Sequence, residues 1–435
     1  MERFSTAGAA ARVDGILDAA SFQPLAHTAG GAALLAGGGR LGGEPVWVAA
    51  TDPRRARGAL GVREAELLCT LFEDARREMR PLLLLIDSAG AKVDEGLAAL
   101  GAFRRLFRLA LLTRLAGVPM VALLGRSCFG GASMLACTCT VRVYSSETLL
   151  AVSGPGVIQA LGGRDELDAA DEEQVRALMG GEARAGLGSE ETLVADSISA
   201  FRARALQLLR DRGHWAISTE WGTQHAVLGE RLTRAGAIAQ SLADSDSSVQ
   251  RLDGLMPAGY ISALRSGVYI ATPPPGAEGP AFVGLLGGNP VGAGACWQLS
   301  DALLDLHRST PGKRVVLLLD AVGHAATRQD ERVMLSAYLV HLSLVAAWLG
   351  QHGHSVSLWI PGAAAGAVYV AFAAPVERVC AQPSARIRIL PEAAVRQILR
   401  TQEQHPSDPE TLVRSGVIDV FLDPRRAGCA PANVG

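Results

Sequence analysis

The sequence predicts an α/β protein built from two related domains. Its 435 residues exceed the usual size of one domain, so two domains of about 200 residues each are expected. Short apolar runs alternate with longer segments of helical periodicity, a pattern typical of parallel strands joined by helices. The same order of elements recurs in the second half of the chain, which indicates an internal repeat.

The repeat starts with two similar segments, PLLLLIDSAGAK ending at Lys92 and RVVLLLDAVGHA ending at Ala325. Each is predicted to be a buried parallel strand that stops at an aspartate followed by small residues and a glycine. Three pairs of matched residues keep a nearly constant separation along the chain: Asp87 and Asp320 (233 residues), Gly131 and Gly366 (235), Arg142 and Arg378 (236). This regularity supports duplication of one structural unit.

The remaining elements follow in the same order in both halves. A helix (residues 97–115 and 333–349) precedes a second apolar strand, VPMVALLG or HSVSLWIPG. A turn rich in glycine and alanine then leads into another helix (residues 129–137 and 362–374). This order predicts parallel strands joined by right-handed crossovers.

The predicted domain boundary lies at the proline-rich segment TPPPGAEGP. Proline and glycine break helices and make this stretch a stiff connector. The first domain is assigned to residues 1–270, with a helical extension at about 196–265. The linker is assigned to residues 271–281 and the second domain to residues 282–435.

Composition excludes several classes of function. The net charge of −2 leaves no electrostatic footprint for nucleic acid or an anionic membrane. No uncharged apolar stretch reaches about 18 residues and no leader is recognisable, so we expect no membrane span and a cytoplasmic location. The seven cysteines contain no C-x-x-C pair, and His352 and His354 have no carboxylate beside them, so no metal site is expected.

Two glycine turns carry the predicted chemistry. Residues 88–91 leave one strand, and residues 129–132 leave the next strand and open a helix. Adjacent parallel strands would bring the turns together, and their free N–H groups would then form an oxyanion hole. The predicted donors are Ala89, Gly90, Gly131 and Ala132. The alternative is that these glycines serve only tight turns and close helix packing.

Several segments resemble a known family. The run DSAGAKVDEG (residues 87–96) resembles the D-S-G-G-A-R-x-Q-E-G signature of acyl-CoA carboxyltransferase subunits. The segments CFGGAS, AVSGPGVI and RDELDAADEEQVRALMGG resemble the β subunit of biotin-independent malonate decarboxylase. The segments VVLLLDAVG, RQDERVMLSAYLVHL and ERVCAQPSARIRILP resemble its γ subunit. The resemblance covers most of residues 8–200 and 280–420.

The resemblance implies a natural fusion of β and γ subunits, with two crotonase-like ββα superhelix domains in tandem. It implies an enzyme that decarboxylates a malonyl or substituted malonyl thioester to the acetyl thioester and CO2, through an enolate held in the hole. The thioester would be carried on the CoA-derived phosphopantetheine-type arm of an acyl carrier protein subunit, with an acyl-carrier transferase subunit as a second partner. Neither biotin nor metal is expected on the chain itself, and a homo-oligomer is compatible with the sequence.

Further residues are candidates for substrate binding. Ser88 and Gly130 belong to the two turns. Lys92 could pair with the malonyl carboxylate or a carrier phosphate, and Arg126 could meet phosphates of the arm; a surface charge is the alternative for each. In the second half the family's S-G-G segment lies against Gly366 and Ala367, with one residue of alignment uncertainty and one glycine retained.

His324 is the candidate general acid for protonating the enolate carbon. The alternative is a packing or hydrogen-bonding histidine. Ser127 and Cys128 nearly complete a nucleophile elbow, but the second glycine is displaced by one residue, and packing at the strand end is the preferred interpretation. Asp87 and Asp320 are expected to cap the turns that follow them.

Three other functions remain open. A biotin-dependent acyl-CoA carboxyltransferase subunit would need a biotin-carrier partner, and no carrier lysine motif is present. A crotonase-type hydratase would need paired glutamates near the glycine turns, and none is found there. A non-catalytic crotonase-like scaffold subunit is compatible with Ala89 and with the alanine-rich second turn.

Overall fold

The computed structural model describes residues 2–25, 33–211, 221–236, 256–390 and 409–422. The chain forms two compact units whose ranges interleave. The first unit comprises Met1–Glu95, Arg105–Thr219 and Ala326–Ala337, and the second comprises Gly96–Arg104, Glu220–Ala325 and Tyr338–Gly435. Each unit therefore contains one short segment from the other half of the sequence.

The sheet of the first unit has its strands in the order β1-β2-β3-β4-β5-β6-β8, with β7 pairing with the end of β5. The pairs β1–β2 and β2–β3 are antiparallel, and all later pairs are parallel. The strands are β1 (Gln23–Pro24), β2 (Leu34–Leu41), β3 (Glu44–Thr51), β4 (Leu82–Ser88), β5 (Met120–Phe129), β6 (Val141–Tyr144), β7 (Leu149–Ala151) and β8 (Glu191–Leu193).

The sheet of the second unit has the order β9-β10-β11-β12-β13-β15-β17, with β14 and β16 as a separate parallel pair. Again the first two pairs are antiparallel and the rest are parallel. The strands are β9 (Ile261–Arg265), β10 (Val268–Thr272), β11 (Ala281–Leu285), β12 (Val315–Leu319), β13 (Val356–Ile360), β14 (Ala363–Ala365), β15 (Arg378–Ala381), β16 (Arg386–Arg388) and β17 (Val420–Phe421).

Helices connect the parallel strands in both units. They are α1 (Ala9–Ile16), α2 (Val62–Glu78), α3 (Gly96–Leu115), α4 (Gly131–Thr138), α5 (Pro155–Gly162), α6 (Glu172–Met179), α7 (Gly181–Ala185), α8 (Ile198–Arg210), α9 (Trp221–Arg234), α10 (Ala293–Ser309), α11 (Arg328–Arg332), α12 (Leu335–Gln351), α13 (Gly366–Ala373) and α14 (Pro409–Arg414). Short 3₁₀ turns occupy Ala56–Gly58 and Val93–Glu95. Among the described helices, none is long and apolar enough to cross a membrane.

The two sheets share one topology, which confirms the internal repeat and the α/β fold class. In the first unit, the end of β5 pairs with β7 from Ser127 with Leu149 onward. In the second, β14 pairs with β16, beginning with Ala363 opposite Arg386. The two paired residues are almost equally far apart in the sequence in both units. The apolar runs form the central strands because a parallel sheet covered by helices buries both faces. All residues of β4 and β12 are buried accordingly.

The predicted linker lies inside the second unit. Val268–Thr272 pairs antiparallel with Ala281–Leu285, so residues 273–280 connect two neighbouring strands of one sheet. The segment is free of helix, as predicted. Its position as a boundary at residues 271–281 is wrong, because proline and glycine mark the connection between two paired strands as readily as a domain linker.

The predicted helical extension at about 196–265 is present in part. Ile198–Arg210 and Trp221–Arg234 are helices, but Ile261–Arg265 is an edge strand of the second sheet. Residues 212–220 and 237–255 lie outside the described part of the chain. Because Glu220–Ala325 belongs to the second unit, the division between the units falls earlier in the sequence than predicted.

Candidate functional site

The two predicted glycine turns of the first unit lie against each other. Gly90 has φ +111° and Gly130 has φ +58°, backbone conformations that side chains other than that of glycine rarely adopt. A Cβ atom at Gly90 would lie 3.4 Å from the carbonyl oxygen of Phe129. One at Gly130 would lie 3.5 Å from the Cα of Gly90. The backbones of the two turns are therefore in van der Waals contact, as the adjacency of β4 and β5 predicts.

Helix α4 presents open N–H groups at this contact. Gly130 is its N-cap, and the Gly130 N–H donates to the carbonyl oxygen of Val152 at 3.1 Å. Within the described residues, the N–H groups of Gly131 and Ala132 meet no acceptor. The first N–H groups of a helix have no partner inside it, and the helix dipole favours negative charge there. These two groups fit an oxyanion.

In the first turn, the two N–H groups predicted as donors already have acceptors. The Ala89 N–H donates to the carbonyl oxygen of Arg57 at 3.0 Å, and the Gly90 N–H donates to Ser88 Oγ at 3.1 Å. Their N–H groups are thus already engaged, so the assignment of Ala89 and Gly90 as donors is corrected. Ser88 shapes the turn through this bond.

Ala91 takes the place of those donors. Leu60 donates to the Gly90 carbonyl at 2.8 Å and accepts from the Lys92 N–H at 2.9 Å, in a bridge that leaves the Ala91 N–H directed away from Leu60. In the described part of the chain no acceptor faces that N–H. Sequence reasoning could not find this, because the pattern depends on which peptide planes pair with the segment before α2.

Asp87 fastens the end of β4 to the end of β5. Its Oδ2 accepts from Arg12 Nη2 at 2.6 Å and from the Arg126 N–H at 3.0 Å, and its Oδ1 accepts from the Ser127 N–H at 3.1 Å. A Cβ at Gly125 would lie 2.4 Å from Oδ2, so glycine is required there. Asp87 therefore caps the neighbouring strand, and the prediction that it caps the turn following it is wrong.

Part of the chain is similar in sequence to known proteins. Residues 9–185 match the family model described as "Carboxyl transferase domain". The chain is 30% identical over 194 residues to the Malonyl-S-ACP:biotin-protein carboxyltransferase MADC of Malonomonas rubra, covering 41% of this chain and 61% of that protein.

Other relatives are more distant. The β6 subunit of the biotin-dependent acetyl-/propionyl-coenzyme A carboxylase of Mycobacterium tuberculosis is 26% identical over 321 residues, covering 72% of this chain and 62% of that protein. One chain of the Pseudomonas malonate decarboxylase hetero-tetramer, solved with malonate, is 24% identical; the match covers 58% of this chain and 97% of that one, with a TM-score of 0.47. The chain thus spans less than two thirds of the curated relatives described here.

Lys92, in the first unit, forms an ion pair with a buried carboxylate. Its Nζ lies 2.9 and 2.8 Å from the two oxygens of Glu64, which is fully buried, and 3.7 Å from Glu95. Glu64 also accepts the N–H groups of Ala33 and Gly61. Burial raises the pKa of Glu64, but its bonds to Lys92 and these N–H groups outweigh that effect and lower it. The geometry favours a structural Lys92 over a substrate anchor.

Arg126 lies at the surface, whereas Cys128, two residues later, lies in the core. Arg126 is exposed, and among the described residues its side chain makes no ion pair. Its assignment to phosphates of the carrier arm stays a prediction. Cys128 is fully buried, and this burial raises the pKa of its thiol well above the ordinary value. A thiol in this state is a poor nucleophile, in agreement with the packing interpretation.

The second unit repeats the backbone conformation of the glycine turns of the first unit. Gly323 and Gly366 have φ values of +145° and +53° and match Gly90 and Gly130. Val291 donates to the Gly323 carbonyl and accepts from the Ala325 N–H, both at 2.9 Å, as Leu60 does in the first unit. Gly366 therefore matches Gly130, one position from the predicted partner Gly131, and Ala367 matches Gly131.

Asp320 also repeats the role of Asp87. Its Oδ1 accepts from the Ala363 N–H at 2.7 Å, and a Cβ at Gly362 would lie 2.1 Å from that oxygen. As with Asp87, the carboxylate holds the neighbouring strand, and the expected cap of the following turn is corrected. The turns of the second unit therefore have the same backbone arrangement as those of the first, although they are richer in alanine.

His324 occupies the position in the second unit that Ala91 occupies in the first. The residue is half-buried, but its Nδ1 is inaccessible to solvent. Burial lowers the pKa of His324 to about 4. The imidazole is therefore neutral at pH 7, which is unfavourable for a general acid, although the assignment itself stays a prediction.

Glu331 is a buried acid that sequence reasoning did not single out. It belongs to the first unit, and its Oε1 accepts from the Ser153 N–H at 2.6 Å. Burial raises the pKa of Glu331 to about 7, while Arg184 and the Ser153 N–H oppose the rise. The sequence pattern did not mark it, because Glu331 stands between the charged residues Asp330 and Arg332 in RQDERVM, a segment that was read only as part of a family motif.

The described residues contain no cluster of three or more histidine, cysteine, aspartate or glutamate side chains suited to a metal ion. The open N–H groups of the described turns offer hydrogen bonds to a developing negative charge.

Proposed function

We propose that this chain decarboxylates a malonyl thioester carried on an acyl carrier protein, and that it is a natural fusion of malonate decarboxylase β-like and γ-like subunits. The observation that carries the proposal is the contact of the two turns in the first unit, which leaves the N–H groups of Ala91, Gly131 and Ala132 open. Similarity to a carboxyltransferase whose name includes malonyl-S-ACP supports the substrate class. The repeated sheet order supports the fusion.

The reaction needs stabilisation of one negative charge. The thioester oxygen accepts hydrogen bonds from the open N–H groups, the bond between the α-carbon and the carboxylate breaks, and its electron pair moves into the enolate. CO2 leaves, and a proton then adds to the α-carbon to give the acetyl thioester. Donors fixed by the backbone need no reorganisation as the charge develops, which is why they stabilise the transition state more than the ground state.

The proton donor is proposed to be water. At pH 7 a histidine with a pKa of about 4 is protonated in only about one molecule in a thousand, so His324 is a weak candidate for this step. Biotin and metal have no part in the proposed reaction, and an acyl carrier protein and its acyl-carrier transferase are the proposed partners.

A Gly131→Pro variant tests the hole. Gly131 is the first residue of α4, a position where proline is tolerated, so the change removes one N–H donor with little effect on the helix. We expect CO2 release from malonyl-carrier protein to fall by about 10²–10³-fold, as for loss of one oxyanion donor. Glu172→Pro, at the exposed first residue of α6, is the matched control and should retain activity.

Substrate comparison separates this proposal from its rival. CO2 release is measured from malonyl-carrier protein, malonyl-CoA and free malonate with the purified chain. No release from any of the three would contradict the proposed function. The relatives named for biotin-dependent reactions favour a second candidate, a carboxyltransferase subunit that passes the carboxyl group to a biotin carrier. Release that depends on added biotinylated carrier would favour that candidate.

A further inference from the structure

A short segment from the second half of the sequence belongs to the first unit. Residues 326–337 contain α11 and the start of α12. The Arg328 N–H donates to Glu166 at 2.6 Å, and Ala326 packs on the apolar cluster that includes Ile158. Glu331, in the middle of this segment, is completely buried. The segment is thus an integral part of the first unit.

Glu331 and Arg184 form a buried charged pair. Arg184 Nη1 donates to the backbone carbonyl of Glu331 at 2.6 Å, and Nη2 lies 3.7 Å from its carboxylate. Arg184 also donates from Nε and Nη2 to the carbonyl oxygen of Leu150 at 2.9 and 2.8 Å. The side chains of Glu331 and Arg184 are 0% and 1% exposed. Both therefore depend on protein partners rather than water.

The pair is connected to the oxyanion turn by two hydrogen bonds. The carboxylate of Glu331 accepts the Ser153 N–H at 2.6 Å. The preceding residue, Val152, accepts the Gly130 N–H at 3.1 Å. Gly130 is the N-cap of α4, so the position of the Val152–Ser153 backbone determines where the open N–H groups of that helix lie.

A second contact joins the same segment to α4. Ser133 Oγ donates to the Gly130 carbonyl at 2.7 Å and lies 2.7 Å from Ser336 Oγ. The first turn of α4 is thereby held on the side of Gly130 and on the side of Ser133 by residues of one segment.

We propose that Glu331 is a positioning residue for the oxyanion hole, acting through Ser153 and Val152 on Gly130 and hence on the N–H groups of Gly131 and Ala132. Its effect on catalysis rests on the proposed function, whereas its effect on the backbone does not. An error of about 1 Å in the placement of catalytic groups can cost about 10²-fold in rate, so a support of this kind is a determinant of activity.

The ionised carboxylate is the form that holds the turn. It faces Arg184 and the Ser153 N–H, with Asp330 as the neighbouring acid, and Arg184 in turn lies near Glu191, Tyr144 and Cys137. Since burial raises the pKa of Glu331 to about 7, protonation below this pH weakens its attraction for Arg184. Activity should therefore rise with pH through about 7.

The test compares Glu331→Ala and Glu331→Gln with Glu173→Gln, an exposed acid of α6, as control. Steady-state CO2 release gives kcat and KM from pH 5.5 to 8.5, and amide hydrogen exchange follows the peptide covering residues 129–133. We expect Glu331→Ala to lower kcat by about 10–100-fold with KM changed less than about 3-fold, and to speed exchange at Gly130. Glu331→Gln is neutral at every pH, so at pH 8 it should show the lower kcat and the faster exchange that the original chain shows well below pH 7, and it should lose the inflection near pH 7.

Two results would overturn the proposal. One is a folded Glu331→Ala protein with the kcat and exchange of the original chain. The other is a Glu331→Gln protein that retains the inflection near pH 7, which decides the matter even where Glu331→Ala fails to fold. Absence of CO2 release from the original chain would refute the proposed function alone, because the exchange measurement would still support or refute the positioning role.

Discussion

Asp87 and Arg12 form a buried ion pair whose disruption should be costly. Their side chains are 5% and 0% exposed, and Asp87 also accepts two backbone N–H groups of β5. Asp87→Ala leaves the Arg12 guanidinium buried without its counter-charge, an effect of about 3–5 kcal/mol. For a unit of this size we expect the melting temperature to fall by roughly 10 °C. Thermal unfolding followed by circular dichroism measures it.

The control for this variant is Arg77→Ala, which removes the surface pair with Asp74. The Arg77 side chain is 67% exposed, and such pairs contribute about 0–1 kcal/mol. Equal melting temperatures for the Asp87 and Arg77 variants would show that the buried pair contributes no more than a surface pair, contrary to the expectation.

The residue types in the turns were predictable from the sequence, but their hydrogen bonds were not. Gly90 and Gly130 could be placed in contact because parallel strands end at the same edge of a sheet. Which N–H groups remain open depends on Arg57 and Leu60, about 30 residues earlier in the sequence. Sequence spacing carries no information on the orientation of those peptide planes, so Ala89 and Gly90 were assigned where Ala91 is open.

Helices α9, α10 and α12 of the second unit meet at a pair of histidines. His225 Nδ1 lies 3.2 Å from His341 Nε2, and His225 stacks on Trp297 with 4.6 Å between ring centroids. Burial lowers the pKa of both histidines, and it lowers that of His341 to about 3. Asp301 and Asp305 act in the opposite direction on His225, and Arg308 adds to the lowering. The neutral pair therefore suits the folded state.

This pair should make the second unit sensitive to acid. Both folded pKa values lie below the ordinary value of 6.5, so the unfolded chain binds protons first as the pH falls. The stabilisation is complete above about pH 6.5 and is lost as the pH falls. For His341, whose folded pKa is about 3, the loss is about 1.4 kcal/mol per pH unit between these values. Urea unfolding followed by tryptophan fluorescence between pH 4.5 and 7.5 measures this slope.

A His341→Gln variant provides the comparison, because glutamine does not titrate. Its unfolding free energy should depend less on pH over the same range, by the contribution of one group. An unchanged slope in this variant would assign the acid sensitivity to other groups. The carboxylates near His225 are common to both proteins and cancel in the comparison.

The repeated elements were the most predictable part of the fold, because apolar runs of strand length that end at Asp87 and Asp320 recur at fixed spacing. The edge strand Ile261–Arg265 and its neighbour Val268–Thr272 were missed. Ile261–Arg265 is largely exposed and carries little apolar pattern, so it was assigned to a helical extension. Edge strands depend on pairing with a neighbour rather than on their own hydrophobicity.

Each of the two units includes one short segment from the other half of the sequence. This arrangement determines where the chain can be cut into fragments that fold. Residues 96–104 belong to the second unit and residues 326–337 to the first. Arg104 in the first of these segments forms an ion pair with Asp419 at 2.9 Å and donates to the carbonyl of Gly416. Neither half of the sequence therefore contains all the residues of its own unit, which linear domain prediction could not reveal.

Residues 1–236 expressed alone should be unstable for this reason. They lack Glu331, so Arg184 stays buried without its carboxylate and the Ser153 N–H loses its acceptor. We expect this fragment to melt well below the full chain and to exchange amide hydrogens faster at residues 150–153. Co-expression with residues 237–435 should restore both properties, because that fragment supplies residues 326–337.

The same fragments with Glu331→Ala in the second piece form the matched control, and they should restore less protection at residues 150–153 than the unchanged pair. A lone 1–236 fragment with the melting temperature and exchange of the full chain would show that the exchanged segment is dispensable. Separate β-like and γ-like chains would have to associate to complete each unit in this way. A fused chain supplies both segments at a fixed ratio and high effective concentration, which is the physical advantage that the proposed fusion offers.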